Sequence, residues 1–468
     1  MVLLTWTKFD CMSHAVMLAK MRDYFASGAT RSATFRKQQL TALKLAIKKN
    51  EAAINEALYA DLHKSPEEVW VAETGIVLEE LNNAISKLER WMRPQKVRTN
   101  LLNLPSSSRI EAEPFGLTLI IAPWNYPFQL LINPLVGAIA AGNCAVLKPS
   151  ELAPATAAVM KKMIEETFAP EFVLCVEVDV AVMVPSLMQS TRFDHVFYTG
   201  STAVGRIIYK MAADQLIPVT LELGGKSPCI IEADASLSVA AKRIALTKYN
   251  NAGQICVAPD YILVHASVKE KFVALLCKTL QEFYGEHPEN SPNYGRIINE
   301  KQFDRLASYL SQGKIIYGGQ HDRATKFMAP TLLEEVSIEA PLMNEEIFGP
   351  LLPILTFQTK EEALAIIARH PNPLAFYIYT NSRQKEKEWL QQVPAGGACV
   401  NNSVFHLLNH HLPFGGRGNS GLGAYHGKYS FDTFSHKKSV LRTPVWPDPS
   451  IKYPPFKGKL GLFKKLLG

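Results

Sequence analysis

Leu117-Thr-Leu-Ile-Ile-Ala-Pro-Trp-Asn-Tyr-Pro-Phe-Gln-Leu-Leu-Ile-Asn-Pro-Leu-Val-Gly-Ala-Ile-Ala-Ala-Gly-Asn-Cys-Ala-Val-Leu-Lys148 decides the architecture. Leu117 to Ala122 is a short apolar run closed by a proline, which predicts a buried strand. Phe128 to Ala141 predicts an apolar helix, and Cys144 to Leu147 a second strand. The alternation goes on with a helix at Ala155 to Phe168 and strands at Phe172 to Val178 and His195 to Tyr198. A helix after Thr202 and a strand ending at Glu222 complete it. Strand and helix in alternation mean an α/β fold: a Rossmann-like parallel sheet with helices on both faces and right-handed crossovers.

A second α/β region begins near Leu223. It holds a strand at Tyr261 to Val264, a helix from Val268, a strand at Lys314 to Tyr317 and a helix at Glu361 to Arg369. Upstream, Ser13 to Met92 reads as helices. Ser65-Pro-Glu-Glu places a cap before a proline at the first helical position. The run that follows to Trp91 carries charges that read as a solvated face. Pro105-Ser-Ser-Ser108 with the alternation Arg109-Ile-Glu-Ala-Glu113 predicts a hairpin within Thr99 to Glu113.

Composition narrows the function. A chain of 468 residues exceeds one typical domain, and 47% hydrophobic with 20% charged residues is globular. The net charge of +7 is spread out, which gives nucleic-acid binding no support. The 12 histidines show no ligand spacing, so no metal is expected. Seven scattered cysteines are odd in number, which points to reduced thiols and a cytoplasmic setting. The N-terminus has no basic n-region, so no signal peptide is expected, and Met12 offers a second start. The last twelve residues, Lys457 to Gly468, are basic and amphipathic. They allow at most a peripheral membrane contact, and a frayed, solvated segment is the expectation, given Gly458 and Gly461.

Chemistry concentrates at Asn250-Asn-Ala-Gly-Gln-Ile-Cys-Val-Ala-Pro259. Glycine and proline make this a loop, and loops on rigid scaffolds carry reactive groups. Cys256 alone reads as a small buried hydrophobe. Val219-Thr-Leu-Glu-Leu-Gly-Gly-Lys226 changes that, because Glu222 lies in an apolar run where desolvation raises a carboxyl toward the range of a general base.

Leu221-Glu-Leu-Gly-Gly-Lys226 and Gly253-Gln-Ile-Cys256 together resemble the paired signatures of the NAD(P)-dependent aldehyde dehydrogenase superfamily. So do Pro123-Trp-Asn-Tyr-Pro127, Lys148-Pro-Ser-Glu151, Thr199-Gly-Ser201 with Gly205, Glu345-Glu-Ile-Phe-Gly-Pro350 and Leu412-Pro-Phe-Gly-Gly416. The Trp-Asn-Tyr-Pro form and the tail Tyr425-His-Gly-Lys…Phe431-Asp-Thr-Phe434 are similar to the class-three branch, which oxidises medium- and long-chain fatty and aromatic aldehydes. The resemblance implies Cys256 as nucleophile, Glu222 as base and Asn125 as oxyanion donor. It implies a dinucleotide held by Lys148, Glu151, Gly200, Ser201, Gly205, Glu346 and Phe348, with NAD expected and NADP possible. The residues alone leave Gly200–Gly205 as an ordinary strand-to-helix turn, Lys148 with Glu151 as a surface ion pair, and Glu345–Glu346 as a solvated acidic pair. Glu177-Val-Asp-Val-Ala-Val182 departs from the family's glycine-containing turn, which implies altered walls around the adenine.

The resulting division places a cofactor domain at 1–98 and 114–221 and a catalytic domain at 222–411. A bridging β arm at 99–113 and 412–445 would make a homodimer, and a tail occupies 446–468. A small-molecule aldehyde is the implied substrate. A coenzyme A-acylating enzyme and an inactive binding protein on the same scaffold are the alternatives.

Overall fold

A computed structural model describes residues 3–177 and 180–467, and their side chains outside 3–14, 180–183, 190, 451, 466 and 467. Three sheets organise them, beside a two-stranded ribbon of His321–Asp322 and Phe327–Met328. The first has six strands in the order Gly421–Leu422, Val219–Glu222, His195–Thr199, Leu117–Ile121, Cys144–Lys148, Val173–Cys175. Leu117–Ile121 lies in its middle and is wholly buried. Helices cover both faces, so each inner strand can be apolar along its length instead of alternating. The crossovers run through the helices Gln129–Ala141, Pro154–Thr167 and Thr202–Asp214.

The second sheet has seven strands in the order Lys314–Tyr317, Thr331–Glu334, Leu351–Phe357, Tyr261–His265, Pro228–Ile231, Ala375–Tyr379, Gly397–Val400. Both large sheets are parallel except at one edge. Gly421–Leu422 runs antiparallel to Val219–Glu222, and Lys314–Tyr317 antiparallel to Thr331–Glu334. A purely parallel expectation missed both, because edge strands can arrive from either direction without a crossover helix.

The third sheet is small and antiparallel: Gln95–Val97, Ser107–Pro114 and Ser435–Arg442. The hairpin expected at Thr99 to Glu113 therefore begins earlier, and Leu101–Asn103 is a single 3₁₀ turn in its loop. Within the 412–445 stretch, Ser435–Arg442 joins this sheet, whereas Gly421–Leu422 turns back onto the first.

Two further expectations change. The charges between Ser65 and Trp91 are not one solvated face: Glu68, Glu73 and Glu80 are buried, as is Lys64 before them. The tail expected to fray contains the helix Leu460–Leu467. The strand read as Phe172 to Val178 spans Val173–Cys175, and Val178 and Asp179 of the altered adenine turn lie outside the described residues. Among the described residues no helix is long and apolar enough to cross a membrane.

Candidate active site

The carboxyl ends of the parallel strands gather the site, as open α/β sheets do. Leu117–Ile121 runs into Pro123–Pro127, which carries Asn125. Val219–Glu222 ends on its glutamate, and Cys144–Lys148 on its lysine. Asn125 is 2% exposed, and its Nδ2 donates to the Gln254 carbonyl at 3.0 Å. A carboxamide has two N–H groups, so one remains for a ligand.

The Cys256 loop is held from within. Gln254 Nε2 donates to the carbonyls of Asn251 at 2.9 Å and Arg296 at 3.0 Å, and its Oε1 accepts from the Ile298 N–H at 3.1 Å. Asn251 and Ala252 both sit at φ 51°, and Gly253 at φ 76°. Left-handed backbone at two adjacent side-chain-bearing residues is strained and persists only where the surroundings over-determine it. A Cβ at Gly253 would run into the Gly349 carbonyl.

Cys256 is half-buried on this loop. Burial pushes its thiol well up, and the charges of Glu346 and Glu222 push it further. Glu222 is 3% exposed and neither carboxyl oxygen has a hydrogen-bond partner. Desolvation raises its pKa well above the ordinary carboxylate range. A structural pairing with Lys226 does not occur: Lys226 Nζ bonds Asp260 Oδ2 at 2.5 Å and the carbonyls of Leu342 and Glu345. Asp260 Oδ1 in turn accepts the Ile347 N–H at 3.0 Å. This buried pair anchors the Glu346 segment, and losing one partner would strand a charge at a cost of about 3–5 kcal/mol.

Two cavities lie in this region and share no lining residue, and one of them reaches Cys256. One, of about 500 Å³, is apolar. Cys256, Tyr126, Leu130, Ile255, Phe414 and Tyr425 line it, with Val71 and Ile76 from the N-terminal helices. The other, of about 230 Å³, is lined by Thr202, Gly224, Lys226, Glu346 and Asn419. Burial raises Glu346 to about 8, and a Cβ at Gly224 would collide with its carboxylate. Phe348 sits at φ 50° with its ring edge-on to Trp124, centroids 5.2 Å apart.

The remaining cofactor candidates divide. Ser201 caps the helix Thr202–Asp214 by accepting the Val204 N–H, which leaves that helix N-terminus at the carboxyl end of His195–Thr199. Lys148 pairs with Glu151 two strands away, beyond Leu117–Ile121. Gly205 does not face the 230 Å³ cleft; a Cβ there would press into Leu223, so it serves close helix–strand packing. Gly200 is held by its N–H on the Glu222 carbonyl at 3.0 Å.

The aldehyde dehydrogenase family profile matches residues 5–440. The chain belongs to the aldehyde dehydrogenase family. A 4,4'-diaponeurosporen-aldehyde dehydrogenase of Staphylococcus aureus is 46% identical over 95% of this chain and 96% of its own. Human aldehyde dehydrogenase family 3 member B1 is 45% identical, covering 94% of both chains. The substrate-bound structure of Staphylococcus aureus AldH superposes with a TM-score of 0.94 at 45% identity, over 97% of this chain and 99% of that one. An indole-3-acetaldehyde dehydrogenase in complex with NAD+ gives 0.84 at 26% identity, over 92% and 89%. Its relatives place this aldehyde dehydrogenase with the class-three enzymes.

Sequence reading of the enzyme overlooked Asp260, Gln254 as a lock, and the walls of the apolar cavity. Asp260 directly follows the Cys256 loop, and an acid beside a proline in an apolar stretch was a usable signal. Val71, Ile76 and Tyr425 had none, since they come from segments far apart in the chain.

Proposed function

We propose that this aldehyde dehydrogenase oxidises aldehydes with an extended or aromatic apolar body to carboxylic acids, by way of an acyl thioester on Cys256. The observation that carries the reading is an apolar cavity of about 500 Å³ ending at Cys256, with the unpartnered carboxyl of Glu222 near the sulfur. The name of the Staphylococcus aureus relative, which gives a 4,4'-diaponeurosporen-aldehyde, agrees with it.

The second cleft fits a nicotinamide dinucleotide. The first helical residue Thr202 lines it at a helix N-terminus, Gly224 allows close approach, and Glu346 stands on its wall, with Phe348 two residues further on. Lys148 and Glu151 would meet ribose hydroxyls, and the acid disfavours a 2′-phosphate, hence NAD ahead of NADP. What such a dinucleotide supplies when bound is the acceptor for the hydride lost from the carbonyl carbon.

The protein's own residues do the rest. Cys256 gives its proton to solvent water and attacks the carbonyl carbon as the thiolate. The free N–H of Asn125 and the Cys256 main-chain N–H hold the oxyanion. When the carbon gives up hydride, the acyl group stays on Sγ. Glu222, as carboxylate, takes a proton from water, which attacks the thioester. The acid leaves and the thiolate returns. Glu346 is the second carboxylate available for proton transfer.

A panel from acetaldehyde to hexadecanal with benzaldehyde, followed by the absorbance of reduced nicotinamide, tests the substrate class. We expect kcat/KM to rise roughly fourfold per methylene until the cavity is filled, from about 0.8 kcal/mol for each buried CH₂. Acetaldehyde matching the long aldehydes would refute it.

The small sheet is read as a dimer arm within the domain division given above. Ser435–Arg442 is an edge strand with one side unpaired and largely exposed. Such an edge is a template for a second chain. Ending the chain after Ser435, which keeps the buried Phe434, is expected to give a monomer in analytical ultracentrifugation. A truncated chain that sediments as a dimer would contradict the arm.

A further inference from the structure

Lys64 is fully buried, and a buried ammonium must be paired and hydrogen-bonded. Its Nζ lies 2.7 Å from Glu73 Oε1, donates to the Asn125 main-chain carbonyl at 2.8 Å, and sits 3.9 Å from the centre of the Tyr126 ring. The Asn125 carbonyl also accepts from Asn251 Nδ2 at 2.8 Å, so both its lone pairs are engaged. Glu73 Oε2 accepts the Gln129 N–H at 2.8 Å, and Glu68 Oε1 accepts the Asn251 N–H at 2.9 Å. Asn251 is the first strained residue of the turn that leads to Cys256.

Local helix geometry makes this possible. Residues five apart on an α-helix face about 140° away from one another. Trp70–Thr74 is instead a π-helical turn, closed by the Gly75 N–H on the Trp70 carbonyl. The extra residue brings Glu68 and Glu73 toward the same ammonium, and such turns often mark functional sites. None of Lys64, Glu68 and Glu73 lines the apolar cavity, although Val71, Ala72 and Ile76 between and beyond them do.

We propose that Lys64, Glu68 and Glu73 are positioning residues for the oxidation step: they clamp the Asn125 main chain to the Asn251 turn and so fix the Asn125 amide relative to Cys256. The proposal rests on the reading of Asn125 as oxyanion donor.

The test is a mutant cycle on the full-length enzyme. Lys64→Met with Glu73→Gln removes both members of the hydrogen-bonded pair together, while Glu68 keeps its bond from the Asn251 N–H. Its first-turnover formation of reduced nicotinamide with decanal is expected to slow about 10- to 100-fold, the usual consequence of misplacing an oxyanion donor. Dinucleotide affinity and alkylation of Cys256 by iodoacetamide, which forms no oxyanion, should keep parent values. Glu68→Ala leaves the Lys64–Glu73 pair intact, should slow the same step, and decides the matter if the double variant fails to fold. In an Asn125→Ala background either change should add no more than about twofold, since the groups act as one unit. An unchanged first turnover, alkylation that falls in parallel, or full additivity with Asn125→Ala would each overturn the clamp while leaving the oxyanion reading intact. Asn125→Ala turning over at the parent rate would overturn both.

Discussion

Cys256→Ala is expected to lower kcat by on the order of 10⁴ to 10⁶, the usual loss when a covalent nucleophile is removed. Dinucleotide affinity should stay at the parent value, because the 230 Å³ cleft does not include Cys256. Among the described residues no other cysteine lines the apolar cavity. Cys144 and Cys175 are buried in the first sheet with thiols pushed up to about 12. Cys229 lies wholly buried in the second sheet. The fold should tolerate the change, since Cys256 is half-buried at a cavity wall and loses one atom. Steady-state formation of reduced nicotinamide, with a parallel titration of dinucleotide binding, checks both halves. Residual activity above about 1% of the parent would be far more than loss of a nucleophile permits and would refute the assignment.

Glu222→Gln should separate the two half-reactions. Glutamine keeps the side chain's size and cannot take a proton. The first turnover should therefore proceed with one equivalent of reduced nicotinamide per site. The steady rate that follows should fall by roughly 10² to 10⁴, the range of general acid–base catalysis. The pH dependence has a definite sign. Burial raises the Glu222 pKa, and only the carboxylate can accept the proton from water. Parent deacylation should thus increase with pH beyond the ordinary carboxyl range, and this limb should vanish in Glu222→Gln. Coenzyme A should accelerate neither protein. Strong acceleration of the parent would replace hydrolysis by acyl transfer, and a variant with the parent's steady rate would remove Glu222 from the mechanism.

The parallel part of the first sheet was legible because its strands are apolar runs with a glycine or proline at or near an end, and burial on both faces demands that pattern. Cys256, Glu222 and Asn125 stood out as candidates because their short motifs hold a chemically capable group and its turn residues together. Lys64, Glu68 and Glu73 were not. In sequence Lys64 is a loop cation and the two acids look like any charged helix face, and it is the π-helical turn at Trp70–Thr74 that takes Glu73 out of α-helical phase with Glu68. The antiparallel edge strand Gly421–Leu422 is two residues long, too short for periodicity to register. The lining of the apolar cavity depends on bringing Val71, Cys256, Phe405 and Tyr425 together from distant segments, which no local pattern encodes.

The central claim is that the substrate carbon passes through a thioester on Cys256 that Glu222 then clears. Intact-protein mass spectrometry of Glu222→Gln, quenched after mixing with NAD and decanal, tests it most directly. The account predicts one added decanoyl group per chain, carried by the peptide containing Cys256 and removed by hydroxylamine. Reduced nicotinamide formed with no acyl group on the protein, or with the adduct on another residue, would contradict it.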